Sequence, residues 1–307
     1  MPVEFTKAFY IKLGKGGGLE EDSIKNNKLR FGWDAQSILD INAGAWGIIE
    51  EQLRANDGGK RLPASTIALN TLMTLAQDDP DAVWITFHQS KMWWTRLAPG
   101  PVQVDNISKF RMTSLPWCDH APNGLPFAVD QIPGKISQLQ GFRATLCKVS
   151  EVEVLKRTIN GIRSREAVAI RESATSLARL LETAIKALHW KDFERLADMV
   201  FRHAGWIRVS VLGEQAKGYD FILEEPIIGE RYVVQVKSKA GLSELTSTIS
   251  NFTTEDFRKV FFVVHSPYDD LINATDIPEP VEIVTPQRLG ELALDAGLVS
   301  WIEEKVA

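Results

Sequence analysis

The fold of the C-terminal half is decided by residues 218–239, GYDFILEEPIIGERYVVQVKSK. Two runs rich in aliphatic and aromatic residues flank a turn that contains Pro and Gly, and this pattern predicts a β-hairpin. If the turn is centred between its two adjacent isoleucines, Asp220 and Gln235 are equally far from that centre. Antiparallel pairing then places these two residues opposite each other.

The second strand of this hairpin carries two polar side chains on one face. Gln235 and Lys237 are two positions apart, so they point the same way, while Val236 points to the other face. Val233 shares the face of Gln235, which places apolar packing beside the polar groups. The sequence therefore predicts that Asp220, Gln235 and Lys237 converge on one patch.

A fourth polar candidate precedes the hairpin, in the stretch LHWKDFERLADMVFRHAG at residues 188–205. Helical spacing of its apolar residues predicts a helix with one buried stripe. Glu194 lies at the edge of that stripe, where a carboxylate needs a partner such as a metal ion.

These four residue types suit the cleavage of a phosphodiester bond. Mg²⁺ prefers hard oxygen ligands, which Asp220 and Glu194 supply as carboxylates and Gln235 as an amide oxygen. Lys237 supplies a cation near the attacking water or the developing negative charge. We expect Mg²⁺ as the cofactor, with Mn²⁺ able to substitute, and no organic cofactor.

The same residues carry a family resemblance. Gly218, Asp220 and the run Val-Gln-Val-Lys at 234–237 resemble the PD-(D/E)xK nucleases, and most closely their Mrr-like branch of restriction endonucleases. In that branch a Gln commonly replaces the acidic residue before x-Lys, as Gln235 does here. The sequence departs from the wider pattern in having no Pro before Asp220.

The resemblance covers about residues 186–305, including the apolar strand VFFVV and the segment EIVTPQRLGELALDAGLVSWIEEK. It implies an α/β (α+β) fold, namely a restriction-endonuclease-like sandwich with a mixed sheet. It also implies an acidic residue on the first helix, the position of Glu194. The interpretation as an ordinary hairpin with a solvated polar face, without a catalytic role, stays open at this point.

The whole chain has 307 residues, a length typical of two domains. We predict an N-terminal recognition or sensor domain at 1–148, a helical linker at 149–186 and the nuclease domain at 187–307. A composition of 44% hydrophobic and 24% charged residues is that of a globular protein with a core. The net charge of −5 argues against a protein that coats nucleic acid nonspecifically, but is compatible with a local basic groove.

The cellular compartment is predicted from what the sequence lacks. No run of about 18 apolar residues could span a bilayer, and the N-terminus has no signal-peptide pattern. Two cysteines are too few for a disulfide framework. We therefore expect a cytoplasmic protein that does not interact with membranes.

The N-terminal half contains aromatic residues that are candidates for stacking on a nucleobase, among them Trp33, Trp93 and Trp94. Trp93 and Trp94 are adjacent on a predicted strand, so they face opposite ways. The run AVWITFHQSKMWWTRL and the earlier AFYIKLG are similar to PUA-like barrels, which include the EVE and YTH readers of modified bases. Such readers hold an extruded base. In the predicted nuclease domain, Lys239 is a further candidate for contacting DNA.

Other motifs are set aside. The run GKGGG at 14–18 lacks the Lys-Ser/Thr ending of a phosphate loop and predicts a flexible turn. Cys118, His120, Cys147 and His88 do not have zinc-finger spacing. No G-x-S-x-G motif accompanies the five histidines, so a serine hydrolase is not predicted.

The sequence thus predicts a Mg²⁺-dependent DNA endonuclease of the Mrr-like type, acting as a homodimer because one such site cuts one strand. Its N-terminal domain would recognise modified or foreign DNA, which implies a role in antiviral defence. Two alternatives stay open: a catalytically inactive nucleic-acid binding or sensing module, and a nuclease effector switched on by a small molecule bound to the N-terminal domain.

Overall fold

The computed structural model describes residues 2–56, 63–209, 219–250, 257–275 and 277–307. Its backbone contacts divide the chain into two units, Met1–Ser164 and Arg165–Ala307. The division falls inside the segment 149–186 that the sequence predicts as a helical linker. One helix of that segment belongs to the first unit and the next helix to the second.

The first unit mixes short strands and helices. Its strands are β1 (Lys7–Ile11), β2 (Lys28–Phe31), β3 (Ala82–His88), β4 (Lys91–Thr95), β5 (Gln103–Val104), β6 (Lys109–Met112) and β7 (Leu146–Lys148). Its α-helices are α1 (Glu20–Lys25), α2 (Ile38–Ala43), α3 (Trp46–Asn56), α4 (Pro63–Ala76), α5 (Gly134–Ser137) and α6 (Val152–Ile159). Two 3-10 turns cover Lys15–Gly17 and Gln138–Gly141.

Two sheets organise this unit. One has the order β4-β3-β1-β7, with β1 parallel to β3, and the other has the antiparallel order β2-β6-β5. Alternate residues of the four-stranded sheet enter different cores: Tyr10 and Ile85 pack on one face, and Ile11 and Trp84 on the other. The second core also receives helices α2 to α4, which explains why this half contains so many apolar residues.

The apolar spacing of residues 35–55 predicts one helix, whereas the structure has two helices there, α2 and α3. Gly44 caps the end of α2 with a φ of 67°, the left-handed conformation that favours glycine, and helix α3 begins at Trp46. Apolar periodicity continues across this break, so the pattern alone does not reveal it.

The second unit contains, in chain order, helices, a hairpin, a further helix and a buried strand. Its helices are α7 (Arg165–Ala187), α8 (Trp190–His203), α9 (Leu242–Ser250), α10 (Asp269–Ile272), α11 (Pro286–Asp295) and α12 (Val299–Val306). Its strands are β8 (Ile207–Arg208), β9 (Phe221–Glu224), β10 (Arg231–Ala240), β11 (Lys259–Pro267) and β12 (Val281–Val284).

These strands form one mixed sheet in the order β12-β11-β10-β9-β8. β10, β11 and β12 pair in parallel, whereas β9 pairs antiparallel with both of its neighbours, β10 and β8. Val234 faces the core built with α7, α8, α11 and α12, whereas Val233 faces a second core that includes Leu245 of α9. The predicted α/β (α+β) class is confirmed, as is the sandwich with a mixed sheet.

No helix among the described residues is both long enough and apolar enough to cross a membrane.

Candidate active site

The centre of the candidate site is the pairing of β9 with β10. Arg231 pairs with Glu224 and Val234 with Phe221, so the next pair in the same register is Asp220 with Gln235. The Nε2 of Gln235 donates to Oδ2 of Asp220 at 2.6 Å. The predicted cross-strand neighbourhood of these two side chains is therefore confirmed.

The Asp220 carboxylate is held on one oxygen. The backbone N–H of Val236 also donates to Oδ2 of Asp220, at 2.6 Å. Among the described residues these two donors are its hydrogen-bond partners, and both use the same oxygen. The other carboxylate oxygen, Oδ1, can therefore accept from or bind a different ligand. The amide group of Gln235 donates through its nitrogen, which leaves its oxygen as a second possible ligand atom beside Asp220.

Burial shapes the electrostatics of this pair. The Gln235 side chain is buried, with 7% exposed, and Asp220 is half-buried. Desolvation raises the pKa of Asp220, and three interactions oppose it: the hydrogen bond from Val236 and the charges of Lys237 and Arg208. The carboxylate is thus costly to ionise without cations beside it.

Lys237 lies two residues beyond Gln235 on β10 and is half-buried. Its positive charge lowers the pKa of Asp220, so the ammonium group lies within electrostatic range of the carboxylate. Lys239, two residues further, is exposed. Of the two lysines, Lys237 is the one whose field reaches the Asp220 carboxylate.

Glu194 joins the site from α8. The helix buries Phe193, Leu196 and Ala197 in the core, which leaves Glu194 half-buried at the edge of that stripe, as predicted. Burial raises the pKa of Glu194, and the negative charge of Asp220 raises it further. The two carboxylates are therefore close enough to repel each other.

This donor set fits a divalent cation. Among the side chains that the structure describes, no group of three or more His, Cys, Asp or Glu converges as a metal cluster. The available ligands are two carboxylates and one amide oxygen, and hard oxygen donors of this kind suit Mg²⁺. A cation between Asp220 and Glu194 would also relieve the repulsion and the burial cost that raise both pKa values.

Sequence reasoning missed Arg208, which is on the edge strand β8. Its guanidinium stacks over the Phe221 ring at 4.8 Å, and its NH1 is 3.2 Å from Oδ1 of Asp198. Its charge lowers the pKa of both Glu194 and Asp220. The signal that could have found it is the spacing of Glu194 and Asp198, which places two carboxylates on adjacent turns of α8 facing one strand.

The Nε of Arg208 is buried and has no hydrogen-bond partner among the described residues. A buried donor without a partner carries a desolvation cost.

The structure divides the three predicted aromatic candidates of the first unit between two cores. Trp93 and Trp94 face opposite sides of β4, as the sequence predicts: Trp93 is half-buried in the core with Trp33, and Trp94 is 8% exposed in the other core. Trp33 and Trp93 thus border one cluster, and Trp94 does not join them. Gly218 of the hairpin motif lies outside the described residues.

Comparison with known proteins adds a family match. Residues 185–292 match a family model described as restriction endonuclease, the Mrr catalytic domain. The match extends from the end of α7 into α11 and contains Glu194, Asp220, Gln235 and Lys237. No curated protein sequence matches the chain significantly.

Two solved structures are similar to the chain. One is the DNA modification-dependent restriction endonuclease AspBHI, with 14% identity, 73% of this chain and 68% of that chain covered, and a TM-score of 0.34. The other is the MspJI restriction endonuclease in complex with a 27-mer oligonucleotide, with 14% identity, 80% and 71% covered, and a TM-score of 0.26.

Proposed function

We propose that the chain is a Mg²⁺-dependent DNA endonuclease, because residues 185–292 match the restriction endonuclease family model of the Mrr type. The observation that carries the proposal is the cross-strand pair of Asp220 and Gln235, which lies within the electrostatic range of Lys237 and Glu194. These four residues form the proposed active site.

In this proposal Asp220, Glu194 and the amide oxygen of Gln235 hold the metal. When bound, Mg²⁺ supplies Lewis acidity that polarises the scissile phosphate and makes water a better nucleophile. The Val236 N–H fixes one oxygen of Asp220, so the other is oriented toward the ligand before DNA arrives.

Two cationic side chains, Lys237 and Arg208, act on the phosphate. A water oxygen forms a new bond to phosphorus and gives up a proton to the solvent, while the bond from phosphorus to the leaving oxygen breaks. Negative charge grows on the phosphate oxygens and on the leaving oxygen, which then takes up a proton from the solvent. The Lys237 ammonium stabilises that charge from the strand. Arg208 has a guanidinium shape suited to phosphate, its Nε has no hydrogen-bond partner among the described residues, and it contributes from the edge strand β8.

We further propose that the first unit selects the DNA through a modified or foreign base, with Trp33 and Trp93 as the stacking residues. Trp94 packs in the other core and is given no role. Lys239 is exposed and is proposed to contact a phosphate. Two copies of the chain are needed to cut both strands, so the enzyme is proposed to act as a homodimer in defence against foreign DNA.

The test is cleavage of modified and unmodified plasmid DNA with Mg²⁺ or with a chelator. Asp220→Asn and Lys237→Ala are each expected to lower cleavage by at least about a hundredfold, a loss typical of removing a metal ligand or a charge-stabilising group. The matched controls are Glu282→Gln on β12 and Lys259→Ala on β11, which remove a carboxylate and an ammonium from the same sheet away from the site. Controls that lose as much as the site variants would overturn the assignment.

A second candidate function is an inactive binding module. It is favoured by the Gln235 amide, which donates to Asp220 where a third carboxylate would strengthen metal binding. A folded chain that binds DNA but cuts no substrate with Mg²⁺ or Mn²⁺ supports this module. If cutting appears only after a small molecule is added, the effector hypothesis replaces it.

A further inference from the structure

One histidine joins the strand β11 to the helix that carries Glu194. His265 is half-buried, two residues before the end of β11. Its Nε2 lies 3.1 Å from the carbonyl oxygen of Leu188, and its Nδ1 lies 2.8 Å from Oγ of Ser266. Because a carbonyl can only accept, Nε2 carries the proton and donates to Leu188, while Nδ1 accepts from the Ser266 hydroxyl. Both ring nitrogens are therefore engaged, and the orientation of the ring is fixed.

The Leu188 carbonyl belongs to the corner between α7 and α8. The helix α7 ends at Ala187, and α8 begins at Trp190 with His189 as its N-cap. The last carbonyls of a helix have no partner within it, so a side-chain donor satisfies one of them. His265 thus ties the backbone just before α8 to a strand of the sheet.

The same imidazole ring also holds the first turn of α8. It meets the Phe193 ring edge to face, with the two centroids 4.9 Å apart and an interplanar angle of 81°. Phe193 is 1% exposed and packs in the core of the second unit. Successive side chains of a helix point about 100° apart. A fixed Phe193 therefore sets the direction in which the next residue, Glu194, leaves the helix.

The strand β11 aligns the other residues of the candidate site as well. Phe262 of β11 pairs with Gln235, and Val264 pairs with Lys237, directly before His265. One strand is thus joined to β10 by backbone pairing and to α8 by a side chain. Because the carboxylate of α8 comes from a separate element, its place relative to the strand residues depends on how α8 is fixed to the sheet.

We propose that His265 is a positioning residue of the metal site. Through the Leu188 carbonyl and the Phe193 ring, it holds α8 at the angle at which Glu194 and Asp220 share one cation. The inference rests on the proposed function, because it concerns the alignment of that enzyme's metal ligands. Groups that orient metal ligands from behind typically change metal affinity by roughly 10–100-fold when they are removed.

The experiment measures Mn²⁺ binding to the full chain by titration calorimetry, without DNA. His265→Ala is expected to weaken Mn²⁺ binding by about tenfold. His265→Gln is expected to bind closer to the wild type, because its amide nitrogen can still donate to Leu188. His265→Phe keeps a ring against Phe193 but cannot donate to Leu188, so it takes the place of His265→Ala if that variant does not fold.

A double-mutant cycle separates positioning from general stabilisation of the core. Glu194→Gln removes the ligand that His265 is proposed to align. If His265 acts through Glu194, the double variant His265→Ala/Glu194→Gln binds Mn²⁺ no more weakly than Glu194→Gln alone. If the two residues act independently, the two losses multiply.

The matched control is His203→Ala. His203 also bonds a backbone carbonyl, that of Met199 at 2.8 Å, but it is exposed at the far end of α8. Its loss is expected to leave Mn²⁺ binding unchanged. Thermal unfolding of every variant without metal checks that the chain is folded at the temperature of the titration.

Cleavage gives a second readout for the same variants. The Mn²⁺ concentration that supports half-maximal cleavage should rise about tenfold in His265→Ala, in step with the binding loss. Cleavage at saturating Mn²⁺ should fall less than that, because an excess of metal compensates for a weakened site. An equal fall at every Mn²⁺ concentration would contradict a positioning role.

The outcomes distinguish this inference from the proposed function. Wild-type Mn²⁺ affinity in His265→Ala, or losses that multiply in the double variant, would overturn the inference and leave the metal site intact. If neither Asp220→Asn nor Glu194→Gln weakens Mn²⁺ binding, the metal site of the proposed function fails, and the role of His265 fails with it.

Discussion

Asp220 and Glu20 are both carboxylates whose pKa burial raises, yet their surroundings differ. Asp220 receives two hydrogen bonds at 2.6 Å on one oxygen and lies in the field of Lys237 and Arg208. Glu20 accepts from the Leu13 N–H at 3.3 Å, and backbone hydrogen bonds with Leu19 and with Glu20 itself also lower its pKa, while its Oε2 has no partner among the described residues.

The difference lies in the groups around each carboxylate. At Asp220 the second carboxylate of Glu194 adds negative charge, so the site as a whole favours a cation. At Glu20 the groups without a partner among the described residues are the neutral hydroxyls of Ser23 and Thr86. A buried acid therefore indicates a function only once the groups around it are known.

The largest expected effect comes from Gln235→Glu, which replaces the amide that donates to Asp220 with a second carboxylate. Two carboxylates would then meet where the present hydrogen bond is 2.6 Å long. Without metal we expect a loss of about 2 kcal/mol in the free energy of unfolding, below the roughly 3–5 kcal/mol typical of fully buried pairs because Asp220 is half-exposed. Urea unfolding with and without Mg²⁺ measures it.

Mg²⁺ should restore most of that stability, because a cation that binds the folded state shifts the unfolding equilibrium by mass action. The matched variant Gln235→Leu removes the donor without adding a charge, and its stability should be insensitive to Mg²⁺. If Gln235→Glu gains no more from Mg²⁺ than Gln235→Leu does, the metal does not bind between these strands.

The next effect concerns Arg208, the cation that distinguishes the Asp220 site from the surroundings of Glu20. Arg208→Met keeps an apolar side chain of similar length beside Phe221 but removes the positive charge and the cation–π contact. We expect cleavage at saturating Mg²⁺ to fall about tenfold, which corresponds to about 1.4 kcal/mol of transition-state stabilisation. Arg202→Met is the control, because the exposed Arg202 also pairs with Asp198 and is on the outer side of α8.

An equal loss in the two variants would mean that Arg208 acts through Asp198 and the helix rather than on the phosphate. Single-turnover cleavage at several DNA concentrations separates the two readings. A role at the phosphate lowers the rate at saturating DNA, whereas a structural role also lowers the unfolding midpoint.

Much of the second unit could be predicted from sequence because its signals are local. The equal distance of Asp220 and Gln235 from the turn fixes their pairing, and β12 and the start of α11 at Pro286 agree with the pattern. Thr285 caps α11 by accepting from the Arg288 N–H, a signal that sequence also contains.

The remaining features depend on packing between distant elements. Arg208 is part of a strand of two described residues, and only the fold shows that its charge lowers the pKa of Glu194 and Asp220. Glu20 stands first in the acidic run Glu-Glu-Asp at the start of α1, which suggests three solvated residues stabilising a helix N-terminus. Burial of one of them results from the glycine turn and β3, which periodicity does not reveal.

The smallest effect tests the cost of the unsatisfied Glu20. Because burial raises the folded pKa above the unfolded one, the associated stability is fully present below the ordinary carboxyl pKa and is lost as pH rises through the raised value. Glu20→Gln cannot ionise, so we expect it to be more stable than the wild type at pH 7 by about 1 kcal/mol and to approach the wild type at acid pH. Urea unfolding across the pH range measures the difference, and Glu21→Gln should follow the wild-type curve throughout. If Glu20→Gln follows it as well, Oε2 is already satisfied in solution, and the contrast between the two carboxylates disappears.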